Sequence, residues 1–196
     1  MNKKSYAGYI AGGIIVLLGI FVMVTYNGLV KKEEKVKQQW SEVNNSYQRR
    51  LDLVPNLVNV VKGQADFEKG TLEKIAEARA KASSAIATTG EPTAENINAT
   101  NNAQNELASA ANRFIAVVER YPDLKGTEAF RGLQTQLEGT ERRVKFARKD
   151  FNEAVQAYNG TVRSFPANLV AGMLGFQTKT SFQSDAGADK AVEIKF

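Results

Sequence analysis

The residues able to do chemistry in this chain are few, and two of the most versatile kinds are missing. Among 196 residues there is no histidine and no cysteine. Without histidine the chain lacks the commonest general base, the usual transition-metal ligand and every Ser-His or Cys-His pairing. Without cysteine it has no thiolate nucleophile, no thiolate metal site and no disulfide. An enzyme built on it would have to work with carboxylates, Lys, Tyr or Ser alone. The carboxylates Glu138, Glu141, Asp150 and Glu153 sit among Arg142, Arg143, Lys145, Arg148 and Lys149. A di-metal bundle site wants Glu-x-x-His pairs, so this run reads as a solvated charged face. No phosphate-cradling glycine loop occurs, and no cofactor is expected.

Two polar patterns stand apart from that background. The first is Arg49-Arg50-Leu51-Asp52-Leu53-Val54-Pro55-Asn56-Leu57-Val58. Two arginines beside an aspartate could grip an anion or a partner's carboxylate. Taken as structure alone, they form a helix end whose charges satisfy terminal carbonyls and each other. In the second, Asn152 and Asn159 stand seven apart beside apolar positions, with Tyr158 adjacent. Near a core such residues fix register at some cost in stability; turned outward, they only face water.

Helices must position these groups. Val36, Trp40, Val43, Tyr47 and Leu51 are spaced four, three, four and four, one apolar stripe. Val58, Val61, Ala65, Leu72, Ile75, Ala82 and Ile86 mark a second. Residues 87–96 hold Gly90 and Pro92 among polar neighbours and read as a loop. A third stripe runs Ala103, Leu107, Ala110, Phe114, Val118 and Tyr121, stopping at Pro122. After Asp123-Leu124-Lys125-Gly126, Thr127 can cap a fourth helix, which continues Phe130, Leu133, Leu137, Val144, Ala147, Phe151, Val155, Tyr158 and Val162 towards Pro166.

Pro55 is expected to start the second helix after a tight turn, because proline favours a first helical position. One long kinked helix is the alternative, since Val54 is a poor cap and the apolar phase runs almost unbroken from Leu51 to Val58. Nothing alternates at period two for long enough to make a sheet. The spacing therefore predicts an all-α protein, with an antiparallel up-and-down four-helix bundle over residues 27–166. In the remaining tail, residues 167–196, the glycine-punctuated stretch 168–176 reads as a short helix or packed loop. The closing Val192-Glu193-Ile194-Lys195-Phe196 either docks as an extended segment or stays loose.

Ahead of the bundle, a short flank (1–5) leads into 21 uncharged residues, 6–26. At about 1.5 Å per residue they reach roughly 31 Å, the thickness of a bilayer's hydrocarbon core. A cleaved leader would have a shorter apolar stretch and a small-residue cleavage site, whereas Val24-Thr25-Tyr26-Asn27-Gly28 follows here. A single-pass anchor in the cell's inner membrane is expected. Tyr6, Tyr9 and Tyr26 lie near its ends, where amphipathic rings favour headgroups. Gly8 and Gly12 make a GxxxG step that can bring two membrane helices together, or merely reflect the frequency of glycine in such helices. Lys31, Lys32, Lys35 and Lys37 outnumber Lys3 and Lys4, which leans towards a short external N-terminus and a cytoplasmic bundle.

The net charge of +5 comes entirely from residues 1–50, with eight Lys/Arg against three Glu; residues 51–196 carry eighteen of each sign. A nucleic-acid footprint would appear as a basic face on the bundle, so no nucleic-acid partner is expected. The lipid bilayer is the expected partner, together with another protein or a second copy of the chain.

An ordered set of short motifs spans nearly the whole sequence. After the apolar segment come Tyr26-Asn27 and Leu29-Val30, then the Arg49 to Val58 run and Glu119-Arg120-Tyr121-Pro122-Asp123-Leu124-Lys125. Ala147-Arg148-x-x-Phe151-Asn152-x-x-Val155-x-x-Tyr158-Asn159 follows, then Phe165-Pro166-x-Asn168-Leu169 with Gly175-Phe176. In this it resembles the LemA family. The resemblance implies a bacterial membrane protein with an up-and-down four-helix bundle, and it carries over no catalytic residues. Phe151 stands where that family more often has tyrosine, and the tail lacks the proline usual before its final valine. The function expected is non-enzymatic: a membrane-tethered scaffold or adaptor acting by contact or self-assembly. The alternatives are a binder of lipid or cell-envelope ligands and, further off, an enzyme using core carboxylates.

Overall fold

The computed structural model describes residues 3–61, 68–87 and 90–183, with side chains from Gly8 onward. Among them lie six helices and no strand: α1 (Lys3–Val61), α2 (Lys69–Ala87), α3 (Ala94–Val118), α4 (Pro122–Lys125), α5 (Glu128–Arg163) and α6 (Ala167–Met173). Ala65, the Tyr6 side chain and the closing Val192-Glu193-Ile194-Lys195-Phe196 segment fall outside the described residues.

Helix α1 runs for 59 residues, about 88 Å at the usual rise. Its first part is long and apolar enough to cross a membrane, and none of that stretch is buried by the rest of the chain. From Leu29 onward the same helix becomes a wall of the core. Val36, Trp40, Val43, Tyr47, Arg50, Val54, Leu57 and Val61 alternate spacings of four and three, and all are buried. That is the seam of a helix packed along its whole length.

Side-chain contacts set the register of the partners. Lys32 meets Thr161, Tyr47 meets Arg148 and Arg50 meets Glu141, so α5 runs antiparallel to α1. Lys81 meets Glu106, so α2 and α3 form a hairpin. Arg50 reaches Gln104, Ile97 shares the core around Trp40, and Leu107 and Phe114 share that around Leu51 and Leu57, which together set α3 parallel to α1 across the core. Four long helices therefore alternate up and down. The core they share divides into a part far from the apolar span, around Leu51, Leu57, Ile75, Leu107, Phe114 and Phe130, and a part near it, around Val36, Trp40, Phe151, Val155 and Tyr158.

Helix ends follow local chemistry. Thr127 caps α5 by accepting the Phe130 N–H at 3.2 Å, as its position predicts. Thr93 caps α3 by accepting the Asn96 N–H at 3.2 Å, so that helix begins inside the stretch expected to be a loop. Pro122 opens the one-turn α4 where only a connection was expected, since proline suits a first helical position.

The expected turn at Pro55 does not form. Helix α1 continues through this residue and ends at Val61. A proline inside a helix removes the N–H that would bond the carbonyl four residues back, here that of buried Leu51. Arg79 of α2 supplies the missing donor, its Nε lying 3.2 Å from the Leu51 oxygen. The break in backbone bonding is thus mended by a side chain from the neighbouring helix. Deleting that donor by Arg79→Ala should destabilise the fold by about 1–3 kcal/mol, the cost of a buried unsatisfied carbonyl. In a Pro55→Ala background, where residue 55 regains its N–H, the same change should cost much less. Equilibrium denaturation of the four proteins in the cycle measures that coupling.

Candidate functional site

The polar residues singled out by sequence converge on two places along the α1–α5 seam. The first is a layer across the core at Arg50, the largest fully buried side chain of the body. The expected helix end at Arg49 and Arg50 is not one; both lie mid-helix in α1. Arg49, Asp52 and Asn56 face outward, and Asp52 accepts a 2.8 Å hydrogen bond from Gln48 Nε2 one turn earlier. Pro55 is half-buried.

Arg50 Nη1 donates to the backbone oxygen and to Oε1 of Gln104, at 3.1 and 3.0 Å, while Nη2 donates to Glu141 Oε2 at 2.6 Å. Glu141 therefore departs from the solvated charged face on which sequence placed it. It leans in from α5 to neutralise the buried guanidinium. Burial lowers the Arg50 pKa from its ordinary value, and the charge and hydrogen bond of Glu141 oppose that shift. The pair is asymmetric: Arg50 is 2 % exposed and the Glu141 side chain 41 %. Loss of Glu141 would strand a buried charge, whereas Glu141 left alone could turn to water.

Arg148 extends this layer towards the apolar span. Its Nε donates to the Tyr47 hydroxyl at 2.8 Å, and its guanidinium sits over the rings of Tyr47 and Phe182, 5.5 and 5.2 Å from their centres. Burial raises the Tyr47 pKa, partly offset by the Arg148 charge. Arg50, Asn105, Glu141, Lys145, Arg148 and Phe182 help line a cleft of about 490 Å³. Its charges are mostly positive and its one carboxylate is already engaged. Among the described residues, no group of three or more Asp or Glu side chains could hold a metal, and no pair of buried carboxylates converges.

The second place is where the tail returns along α5. Asn152 and Asn159 are neither register-setting core residues nor free surface. Asn152 Nδ2 donates to the Phe182 oxygen at 3.1 Å, and its Oδ1 accepts the Phe182 N–H at 2.9 Å. Asn159 holds Lys179 the same way, with both distances 2.8 Å. Each carboxamide thus pairs with a backbone unit as a neighbouring strand would. The spacings agree: seven residues of helix rise about 10.5 Å, and three residues of extended chain span about 10 Å.

Side chains complete this docking. Phe182 packs among Trp40 and Phe151, with ring centres 6.0 and 5.5 Å away. Lys179 pairs with Glu33 of α1 at 2.8 Å and covers the ring of buried Tyr158. The register explains why a tail is needed here. The α2–α3 hairpin turns back near the level of Trp40, so α1 and α5 run on towards the apolar span as a bare pair. Tail residues 177–183 cover that pair. Sequence pointed to the two asparagines but missed Lys179 and Phe182. The available signal was the matching of a seven-residue helical spacing to a Lys-x-x-Phe spacing of three.

Gly8 and Gly12 lie on the exposed apolar part of α1, where a Cβ at either would meet nothing within 4 Å. Their face is open for a second helix, and among the described residues nothing lies against it.

Replacing Asn152 or Asn159 by alanine removes two tail hydrogen bonds at once. At about 1 kcal/mol per bond, each change should cost roughly 2 kcal/mol of tail docking. Amide exchange at Lys179 and Phe182 should speed up, while amides of α3 keep their protection. Hydrogen exchange read by mass spectrometry checks both outcomes.

The LemA family pattern matches residues 39–196, a span that includes the Arg50 layer, both asparagines and the docked tail. Among curated proteins, the chain is 24 % identical over 190 residues to magnetosome protein MamQ 2 of Paramagnetospirillum magneticum, covering 87 % of this chain and 69 % of that one. It is 23 % identical over 190 residues to magnetosome protein MamQ of Magnetospirillum gryphiswaldense, with the same coverage of each. To protein LemA of Metamycoplasma hominis it is 24 % identical over 177 residues, covering 87 % of this chain and 75 % of that protein. With most of its length inside that pattern, and with relatives that cover 87 % of it, the chain belongs to the LemA family.

Proposed function

We propose that this protein is a non-enzymatic scaffold or adaptor, tethered by a single membrane-spanning segment and working through contacts with another protein or with further copies of itself. The observation that carries the reading is the continuity of α1. One helix includes both the exposed apolar span and the core positions Leu29 to Val61. A body built on its own tether is held at a fixed attitude to the bilayer, which suits a protein that presents surfaces. On this reading the helical body lies on the cytoplasmic side of the cell's inner membrane, which the excess of Lys31, Lys32, Lys35 and Lys37 over Lys3 and Lys4 supports. The open Gly8/Gly12 face is the natural place for two tethers to meet.

A second reading, binding of an anionic cell-envelope ligand, draws on the mostly basic cleft beside Arg50. Lys145 there has no ion pair among the described residues, and Arg50 Nε has no hydrogen-bond partner. It ranks below the first because Arg148 is already committed to Tyr47 and to the tail's Phe182.

Cross-linking of the full chain in native membranes, followed by mass measurement, tests the contact reading. Discrete cross-linked species should appear, and Gly8→Ile together with Gly12→Ile should diminish any made of two copies. A strictly monomeric chain with no co-purifying partner would contradict it.

A further inference from the structure

Phe165, Leu169 and Met173 follow one another at intervals of four and are 80, 58 and 87 % exposed, with Leu174 beside them at 48 %. Single exposed apolar residues are ordinary, but a cluster of them on a short helix (Leu169, Met173) and the residues flanking it (Phe165, Leu174) marks a surface that meets something. The other face of α6 is accounted for: Val170 and Ala171 are buried where the helix packs on α1 and α5.

Location says what the exposed face meets. The α1–α5 register pairs Lys32 with Thr161, so α5 ends about level with Val30. The chain then returns beside the last apolar turns of α1. There Phe21, Thr25, Gly28 and Val30 are partly covered, Leu29 is wholly buried, and the rings of Tyr26 and Phe176 meet edge-on at 5.9 Å. Residues 164–178 contain no charge and are bracketed by Arg163 and Lys179, just as the span of α1 gives way to Lys31, Lys32 and Lys35. Apolar side chains flanked by cations are the pattern of a segment lying in the boundary layer of a bilayer.

We propose that α6 is a second membrane contact, lying in the interfacial layer of the same bilayer that α1 crosses, with Phe165, Leu169 and Met173 turned into lipid. The inference rests on the tether reading, because lipid is present at the level of Tyr26 only if α1 spans. It adds that the body is attached at two points, a crossing helix and a surface-lying one. Continuity with the apolar span and the ring of Arg163, Lys31, Lys32 and Lys35 favour lipid over a second copy of the chain.

The chain's lack of cysteine allows a direct test. Spin labels are placed singly at Leu169→Cys, Met173→Cys, Leu17→Cys in the span and Phe146→Cys, an exposed apolar site on α5 further along the body. The full chain is reconstituted in vesicles of zwitterionic and anionic phospholipid, and collision with oxygen is compared with collision with a water-soluble nickel chelate. The labels at 169 and 173 should show an oxygen-to-nickel ratio several-fold above that at 146 and closer to that at 17. If 17 reads as lipid but 169 and 173 read as water, the second contact is overturned while the tether survives. Shielding of 169 and 173 from both reagents would put protein on the patch and also overturn it. If 17 itself reads as water, tether and second contact fall together.

Discussion

Unbroken backbone bonding along α1 is the constraint on which the other contacts depend. A helix that runs from an apolar span into a protein core must keep its amides paired throughout, because neither lipid nor core offers water as a substitute. Pro55 breaches the ladder at one point inside the core. The structure answers with Arg79, reaching across from α2 to the carbonyl that Pro55 leaves unpaired. That one bond ties the α2–α3 hairpin to the helix carrying the apolar span. The rest of the body is then laid against α1: α5 along it from about Val30 onward, the hairpin over the far part and the tail over the near part.

The interactions that close this arrangement are of two physical kinds. Far from the apolar span, the helices are held by interdigitated Leu, Ile, Val and Phe side chains, which specify proximity more than direction. Nearer to it, recognition is polar and directional. The Arg50 fork joins α1, α3 and α5, and each asparagine of α5 fixes one peptide unit of the tail in place and orientation. The Trp40, Phe151 and Phe182 rings pack around that polar frame, each pair adding about 0.5–1.5 kcal/mol beyond its buried area. A segment held this way is specified in register, so Lys179 meets Glu33 instead of solvent.

Much of this was legible in the order of residues, and the exceptions have physical causes. Amphipathic stripes gave the long helices and their inward faces, and Thr127 gave the start of α5, because both signals are local. Arg50 sits mid-helix on the core seam, not at the helix end that its charged neighbours suggest. The spacing Val36, Trp40, Val43, Tyr47 continues in its alternation to Arg50, Val54 and Leu57, which puts a charged residue on the core seam. The helix through Pro55 was foreshadowed by the unbroken apolar phase around it. What mended it was not visible, because Arg79 lies 28 residues away. Glu141 looked solvated for the same reason: its partner sits 91 residues earlier. Side-chain-to-backbone docking such as that of Asn152 and Asn159 has no apolar signature, so it escapes a reading built on periodicity.

The account stands or falls on whether α1 is one rigid rod in a bilayer. Paired spin labels at Gly19→Cys and Gln48→Cys, both exposed positions of α1, allow that to be measured in vesicles by dipolar spectroscopy. An uninterrupted helix separates their backbones by about 44 Å, 29 residues at the usual rise, and predicts a single narrow distance distribution near that value. A broad or distinctly shorter distribution, as a hinge at Asn27-Gly28 would produce, would contradict a body built on its own membrane tether.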